Sequence, residues 1–207
     1  QKIIKYLAIA LAIFIIINIV SVVLSVLYGL SWISGATKDA EIIESQEEIY
    51  STIGNTDITT LKIELNASNL EIKNGEMLRV ETNNLNVKCN QEGSQLTIKD
   101  KTKNWFSKEN DASQIILYMP ENMLWASVKI DAGAGKISIE ELATRNFDFD
   151  MGAGKVVIQE LNVSNKSEID GGAGKIEILS GAMNNLKLNT GVGDFSLNAK
   201  LTGRNDV

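Results

Sequence analysis

One stretch, residues 131–197, repeats a nine-residue row four times: DAGAGKISI (131–139), DMGAGKVVI (150–158), DGGAGKIEI (170–178) and NTGVGDFSL (189–197). The rows begin 19, 20 and 19 positions apart. A repeat of this length is typical of a solenoid, in which each unit packs only against its neighbours. The stretch therefore predicts a coil that winds around once per row.

Each row contains a Gly-x-Gly turn followed by a strand with a period of two. In the first row Ile137 and Ile139 alternate with polar side chains, which is typical of a strand with one buried face. A second apolar pair follows later in the repeat: Phe147 and Phe149, Leu186 and Leu188, and more weakly Ile169. We therefore expect an all-β fold, a β-solenoid of about 19–20 residues per turn with two short strands per turn.

The eight glycines of the rows are interpreted as structural, because stacked tight corners need small residues and positive φ angles. They are Gly133, Gly135, Gly152, Gly154, Gly172, Gly174, Gly191 and Gly193. Stacking also predicts two columns of side chains beside them. One contains Asp131, Asp150, Asp170 and Asn189, and the other contains Lys136, Lys155, Lys175 and Asp194.

Two features are candidate contact surfaces for a partner. The first is the column formed by Lys136, Lys155 and Lys175, which is either a binding strip or an ordinary solvated face. The second is the polar insertion from Lys101 to Ser113, which contains Trp105 and Phe106. Adjacent aromatic residues on a loop could contact a partner or a membrane, although one ring could equally fold back over the solenoid.

Motifs for phosphate, dinucleotide and calcium binding do not fit the rows. The phosphate loop requires Ser or Thr after the lysine, where Ile137, Val156 and Ile176 stand. The calcium-binding roll requires a period of about nine residues and an aspartate where three rows carry lysine. No catalytic residue, cofactor or metal site is predicted. The chain has no histidine, and its single cysteine, Cys89, lies in an alternating run that indicates a buried thiol.

The N-terminus predicts a membrane anchor. No charged residue occurs from Tyr6 to Thr37, a run longer than the roughly 20 residues that cross a bilayer. A signal peptide ending near Ala36 is the alternative, but its apolar core would be only about 7–15 residues long. We expect one uncleaved transmembrane helix within residues 1–35, spanning from Tyr6 to Ile33. The lysines before the span place the N-terminus in the cytoplasm and the solenoid outside the cell.

The remaining segments complete the domain organisation. Residues 36–57 are expected to form a juxtamembrane stalk that is helical in part. Residues 58–130 alternate irregularly and predict a degenerate first half of the solenoid, whose end strand would be open to edge pairing unless it is covered. The ectodomain thus spans 58–207, and further turns are expected after it. The formal charge of −6 and the absence of basic clusters argue against nucleic acid as a partner.

The rows at 131–139, 150–156 and 189–197, preceded by IILYMP (115–120), resemble the bacterial "putative adhesin" family. The resemblance covers about residues 58–207 and implies a single-stranded β-solenoid without catalytic residues. The usual Gly-x-Gly-Asp of the family is Gly-x-Gly-Lys in three rows here.

Three functions follow as expectations. The first is a non-catalytic, membrane-anchored ectodomain that binds a surface protein or polysaccharide, or scaffolds, at the bacterial cell surface. The second is an envelope-stress sensor that acts through a membrane partner. The third is an enzyme acting on polysaccharides, which would require clustered carboxylates or aromatic residues on one face.

Overall fold

The computed structural model describes residues 40–45, 48–53, 58–101 and 113–207. The predicted span from Tyr6 to Ile33, and the aromatic residues Trp105 and Phe106, lie outside these ranges. In the part of the chain that is described, no helical segment has both the length and the hydropathy that a bilayer crossing requires.

The described residues form a β-fold whose strands join one sheet. The strands are β1 (Ala40–Ser45), β2 (Glu48–Ile53), β3 (Thr60–Gly75), β4 (Arg79–Thr82), β5 (Val87–Glu92), β6 (Gln95–Asp100), β7 (Ser113–Pro120), β8 (Leu124–Ile178), β9 (Gly181–Asn184), β10 (Leu186–Leu197) and β11 (Lys200–Thr202). Strand β8 is 55 residues long because it winds through several coils.

The period of 19–20 residues predicted from the rows is confirmed by parallel pairing. Leu186 pairs with Ser167 and Phe195 pairs with Ile176, both 19 positions earlier. Leu161 of β8 pairs with Gly181 of β9, which lies 20 positions later. Each coil therefore lies directly over the previous one, and side chains at equivalent positions form columns.

Each regular coil has three inward-facing pairs, so the expectation of two strands per turn is wrong. In the coil from 128 to 144 the buried pairs are Val128 and Ile130 on side 1, Ile137 and Ile139 on side 2, and Leu142 and Thr144 on side 3. Side 3 was missed because its apolar signal is short and includes a threonine. The backbone of side 3 nevertheless pairs with the neighbouring coil, so its N–H and C=O groups are hydrogen-bonded.

The interior is a continuous apolar column. Leu, Ile, Val, Phe and Met fill it, and Trp125, Phe147 and Phe149 are its largest fully buried side chains. Phe147 and Phe149 stack with ring centroids 6.0 Å apart. Because burial of one large apolar side chain contributes roughly 1.5–3 kcal/mol, this column supplies most of the favourable free energy of folding.

The order of coils in the stack differs from their order in the sequence. Strand β3 lies between β6 and β7 on one side and β8 on the other: Leu61 pairs with Leu96 and with Val128, and Leu70 pairs with Ile115 and Ile137. The segment 58–130 is thus part of the solenoid, as expected. Its first coil is inserted between the second coil and the regular rows.

The end of the stack nearest β6 and β7 is covered by antiparallel strands. Strand β5 pairs with β6, β4 pairs with β7, and β2 pairs with β4. These pairings cover the edge that the sequence left open. Strands β1 and β2 also lie where a part-helical segment was expected, so that helical interpretation is wrong. The helical pattern was weak, and ladder pairing to β4 outweighs it.

Candidate functional site

The corner between side 1 and side 2 brings together most of the residues that the sequence marked as candidates. We call it the glycine corner, and it consists of Gly133, Gly135, Gly152, Gly154, Gly172, Gly174, Gly191 and Gly193. The glycines form a continuous file along the solenoid. A Cβ on Gly152 would lie 2.5 Å from the carbonyl oxygen of Gly133 in the coil below, and a Cβ on Gly172 would collide with that of Gly152.

The second glycine of each turn also needs its conformational freedom. Gly135, Gly154, Gly174 and Gly193 have φ values of 139°, 139°, 130° and 152°, which side chains rarely allow. The corner is therefore built from bare backbone. Only the small residue between the two glycines projects from it: Ala134, Ala153, Ala173 or Val192, of which Val192 is 81% exposed.

An acidic column borders the glycine corner on side 1. It contains Glu64, Asp131, Asp150 and Asp170, and Asn189 continues it. Glu64 pairs with Lys62 and Lys99, and these hydrogen bonds lower its pKa to about 2. Among the described residues Asp131 and Asp150 form no ion pair, although both raise the pKa of nearby Lys129 after the larger effect of Asp148.

A lysine column borders the same corner on side 2. It contains Lys136, Lys155 and Lys175. Asp194 stands next to Lys175 in the strand register and ends the column. Lys155 and Lys175 are 55% and 45% exposed in their side chains, and both face Glu177, at 4.0 and 2.8 Å. The hydrogen bond from Lys175 lowers the pKa of Glu177. Both columns predicted from the sequence are therefore present, and both face solvent.

The insertion with the two aromatic residues begins and ends at the same corner. Strand β6 ends at Asp100 on side 1, and β7 begins at Ser113 on side 2. Trp105 and Phe106 themselves lie outside the described residues, so their contact role stays a prediction.

The base of that insertion contains a buried polar pair that the sequence reasoning missed. Ser68 donates a 2.7 Å hydrogen bond to the carboxylate of Asp100, and both residues are almost fully buried. Asp100 follows Leu96 and Ile98 at the inward-facing period of two, but nothing in the local sequence indicates its partner Ser68. The pair fixes the corner of the β3 coil to the end of β6.

The carboxylates of the glycine corner lie on an open surface. Asp150 and Asp170 line an open surface depression with Gly171 and Gly172, and neither carboxyl is buried. In the described part of the chain no group of three or more Cys, Asp or Glu residues is arranged to hold a metal ion.

The single thiol is a poor nucleophile. Burial raises the pKa of Cys89 to about 11, so very little thiolate is present at neutral pH. Cys89 packs against the apolar core from strand β5, opposite Ile98. Cys89 is half-buried, so the expectation of a buried thiol holds only in part.

One solved structure shows the same fold. The structure of a "putative cell adhesion protein" from Clostridium sporogenes ATCC 15579 covers 80% of this chain and 98% of its own, with a TM-score of 0.51 and 15% identity. A "putative adhesin" from Bacteroides fragilis NCTC 9343 gives a TM-score of 0.32 at 11% identity, covering 78% of this chain and 98% of its own. No curated protein matches the chain significantly.

The sequence itself matches one family over most of its length. The family model for the Toastrack DUF4097 domain matches residues 58–205, which begin just before β3 and end after β11. This agrees with the resemblance to adhesin-like β-repeat proteins noted from the rows. The chain therefore belongs to the Toastrack DUF4097 family.

Proposed function

We propose that this protein is a non-catalytic binding or scaffolding module of the bacterial cell surface. In this proposal an N-terminal helix anchors the chain in the cell membrane, with the N-terminus in the cytoplasm and the solenoid outside. The observation that carries the proposal is the glycine corner with its two charged columns. It is a rigid, periodic and solvent-facing surface, whereas enzymes bind substrates in concave, partly dry pockets.

Similarity adds support to the proposal. The solved Clostridium sporogenes protein of the same fold is called a "putative cell adhesion protein". The long uncharged segment before the solenoid would hold the binding surface at the membrane, which adhesion requires. The partner would be a protein or polysaccharide of the envelope, and the lysine column would provide its charged contacts.

Surface labelling tests the location. In the full chain, Glu160→Cys places a thiol on exposed side 3, away from the glycine corner, whereas the native Cys89 is poorly reactive. Intact cells that express this variant should react with a membrane-impermeant maleimide, and cells with the unaltered chain should react far less. Labelling that requires cell lysis would contradict the proposed extracellular location.

Adhesion of cells tests the binding role. Cells displaying the full chain should bind immobilised envelope fragments more strongly than cells without it. Neutralising the lysine column (Lys136→Gln, Lys155→Gln and Lys175→Gln) should weaken this binding, most clearly at low salt. The matched control replaces Lys129, Lys166 and Lys187 on side 1 with Gln. Equal binding with and without the chain would refute the proposal.

A further inference from the structure

The glycine corner is complementary to a second copy of itself. In each regular row an aspartate lies on one side of the corner and a lysine on the other: Asp131 with Lys136, Asp150 with Lys155, and Asp170 with Lys175. The fixed register of the ladder repeats this arrangement with the same polarity, row after row. The corner therefore has an acidic edge and a basic edge that run in parallel along the solenoid.

Only one two-fold arrangement matches these edges. Suppose two corners face each other with the symmetry axis parallel to the solenoid axis. The rotation exchanges left and right but keeps the rows at the same height, so each acidic edge meets a basic edge. A two-fold axis perpendicular to the solenoid would instead place acid against acid. Closed two-fold pairing through one self-complementary patch is the commonest form of oligomer.

The residues at the corner permit close approach. In the three regular rows Ala134, Ala153 and Ala173 project between the glycines, so two backbones can come near each other there without a bulky obstacle. In the fourth row the larger Val192 projects instead. Asp131, Asp150 and Lys136 have no ion-pair partner among the described residues, so these three charges remain available for contacts between molecules. Lys155 and Lys175 also contact Glu177, and Asp170 accepts a hydrogen bond from Asn189, so these three would share a second copy with their present partners.

We propose that two copies of this chain associate in parallel through the glycine corner, with the acidic column of each copy facing the lysine column of the other. Association of like-oriented copies suits chains that share one membrane, and this point alone rests on the proposed function. Because the pairing occupies the lysine column, it competes with the envelope contact proposed for the same column. The pairing itself depends only on the charges and register of the described residues.

Charge exchange tests the pairing in the full chain, purified in a non-ionic detergent and measured by sedimentation velocity. The first variant carries Asp131→Lys and Asp150→Lys, and the second carries Lys136→Asp and Lys155→Asp. Each alone brings like charges together across the axis, and its dimer should dissociate roughly tenfold or more readily. An equimolar mixture should form dimers again, because each lysine edge then meets an aspartate edge. This recovery also shows that both variants are folded.

A matched control carries the same change in charge on side 3. Glu141→Lys with Glu160→Lys alters two exposed or half-exposed carboxylates in corresponding coils, away from the corner. This variant should dimerise like the unaltered chain. Loss of its dimer would show that net charge, rather than the corner, controls association, and would overturn the proposal.

A disulfide tests the geometry directly. The two-fold axis places Ala153 opposite Ala153 of the second copy. In a chain with Cys89→Ser, oxidation of Ala153→Cys should therefore yield a covalent dimer, whereas Ala143→Cys on side 3 should yield none. An unaltered chain that stays monomeric at low salt and tens of micromolar concentration would overturn the proposal. A dimer that persists in both charge variants would also overturn it, since association would then occur elsewhere.

Discussion

Asn189 donates a hydrogen bond of 2.6 Å to the carboxylate of Asp170, which lies one coil below it in the acidic column. This contact marks where the column changes from charged to neutral. An amide above a carboxylate replaces repulsion between stacked anions with a donor–acceptor pair. The fourth row, the least regular of the repeat, thus stabilises the row beneath it.

Replacing Asn189 with Asp should destabilise the upper coils by roughly 1 kcal/mol at neutral pH, since it removes a donor and stacks two carboxylates. The loss should decrease as the pH falls from 7 to about 4, where a substantial fraction of carboxyl groups is protonated. Urea unfolding of the variant and the unaltered chain at pH 7 and pH 4 measures this. Asn90→Asp should show a weaker dependence on pH, because Asn90 is exposed and lies opposite Thr97 rather than a carboxylate.

Replacement by alanine should destabilise the fold strongly at Gly174 and only weakly at Gly171. Gly174 has a φ of 130°, and its Cβ would collide with the main chain of Gly154, so Gly174→Ala should cost roughly 2–4 kcal/mol. At Gly171 the nearest atom to a Cβ is the mobile end of Ile176, at 2.9 Å, and Thr190 already occupies the same column. Gly171→Ala should therefore change stability by less than about 1 kcal/mol. Equal losses in thermal unfolding would contradict the stacked corner.

The stability of a Leu142 variant tests whether side 3 of the coil packs against the interior. This residue is fully buried, so Leu142→Ala should lower the free energy of unfolding by about 2–5 kcal/mol. Leu179 is 48% exposed, and Leu179→Ala should have an effect of only about 0.5 kcal/mol. Chemical denaturation of the two variants distinguishes a three-sided coil from a two-sided one, in which Leu142 would face solvent.

Two glutamates should make the fold sensitive to acid. Glu64 is paired with Lys62 and Lys99, and Glu168 with Lys166 and Lys187; hydrogen bonds from these lysines lower both pKa values from 4.5 to about 2. Because the folded pKa lies below the unfolded one, the stabilisation is complete above about pH 4.5 and is lost as the pH falls towards 2. Solvent and salt screen both clusters, which limits the size of the effect.

The variant with Glu64→Gln and Glu168→Gln should lose this part of the pH dependence. Its free energy of unfolding should vary less than that of the unaltered chain between pH 4.5 and pH 2, at low salt. Glu121→Gln, in an exposed turn, is the control. An identical slope in all three proteins would show that the lysine contacts do not hold in solution.

Local patterns in the sequence predicted much of the candidate site. The alternation of Ile137 and Ile139 gives a strand, and a repeated Gly-x-Gly gives a tight corner. Once the period is constant, stacking must align Asp150 with Asp170 and Lys155 with Lys175. These inferences require only the pleat of a strand and the distance between neighbouring strands.

The third side of the coil and the buried pair of Ser68 and Asp100 were not predicted. Leu142 and Thr144 give a short and mixed signal, and an inward aspartate looks like any polar residue until its partner is known. The hydrogen bond between Ser68 and Asp100 joins residues 32 positions apart, so no local pattern could indicate it.

The sequence by itself determined the β-solenoid, its period and the two charged columns, because a regular repeat converts spacing along the chain directly into position in space. Only the tertiary structure decided the order of the first coils and the covering of their end. Strand β3 is paired on both edges, by β6 and β7 and by β8, and β4 and β5 run antiparallel over the last edge. Any of several irregular strands could satisfy the same alternation, and the choice among them depends on long-range hydrogen bonds and on how the whole apolar column packs.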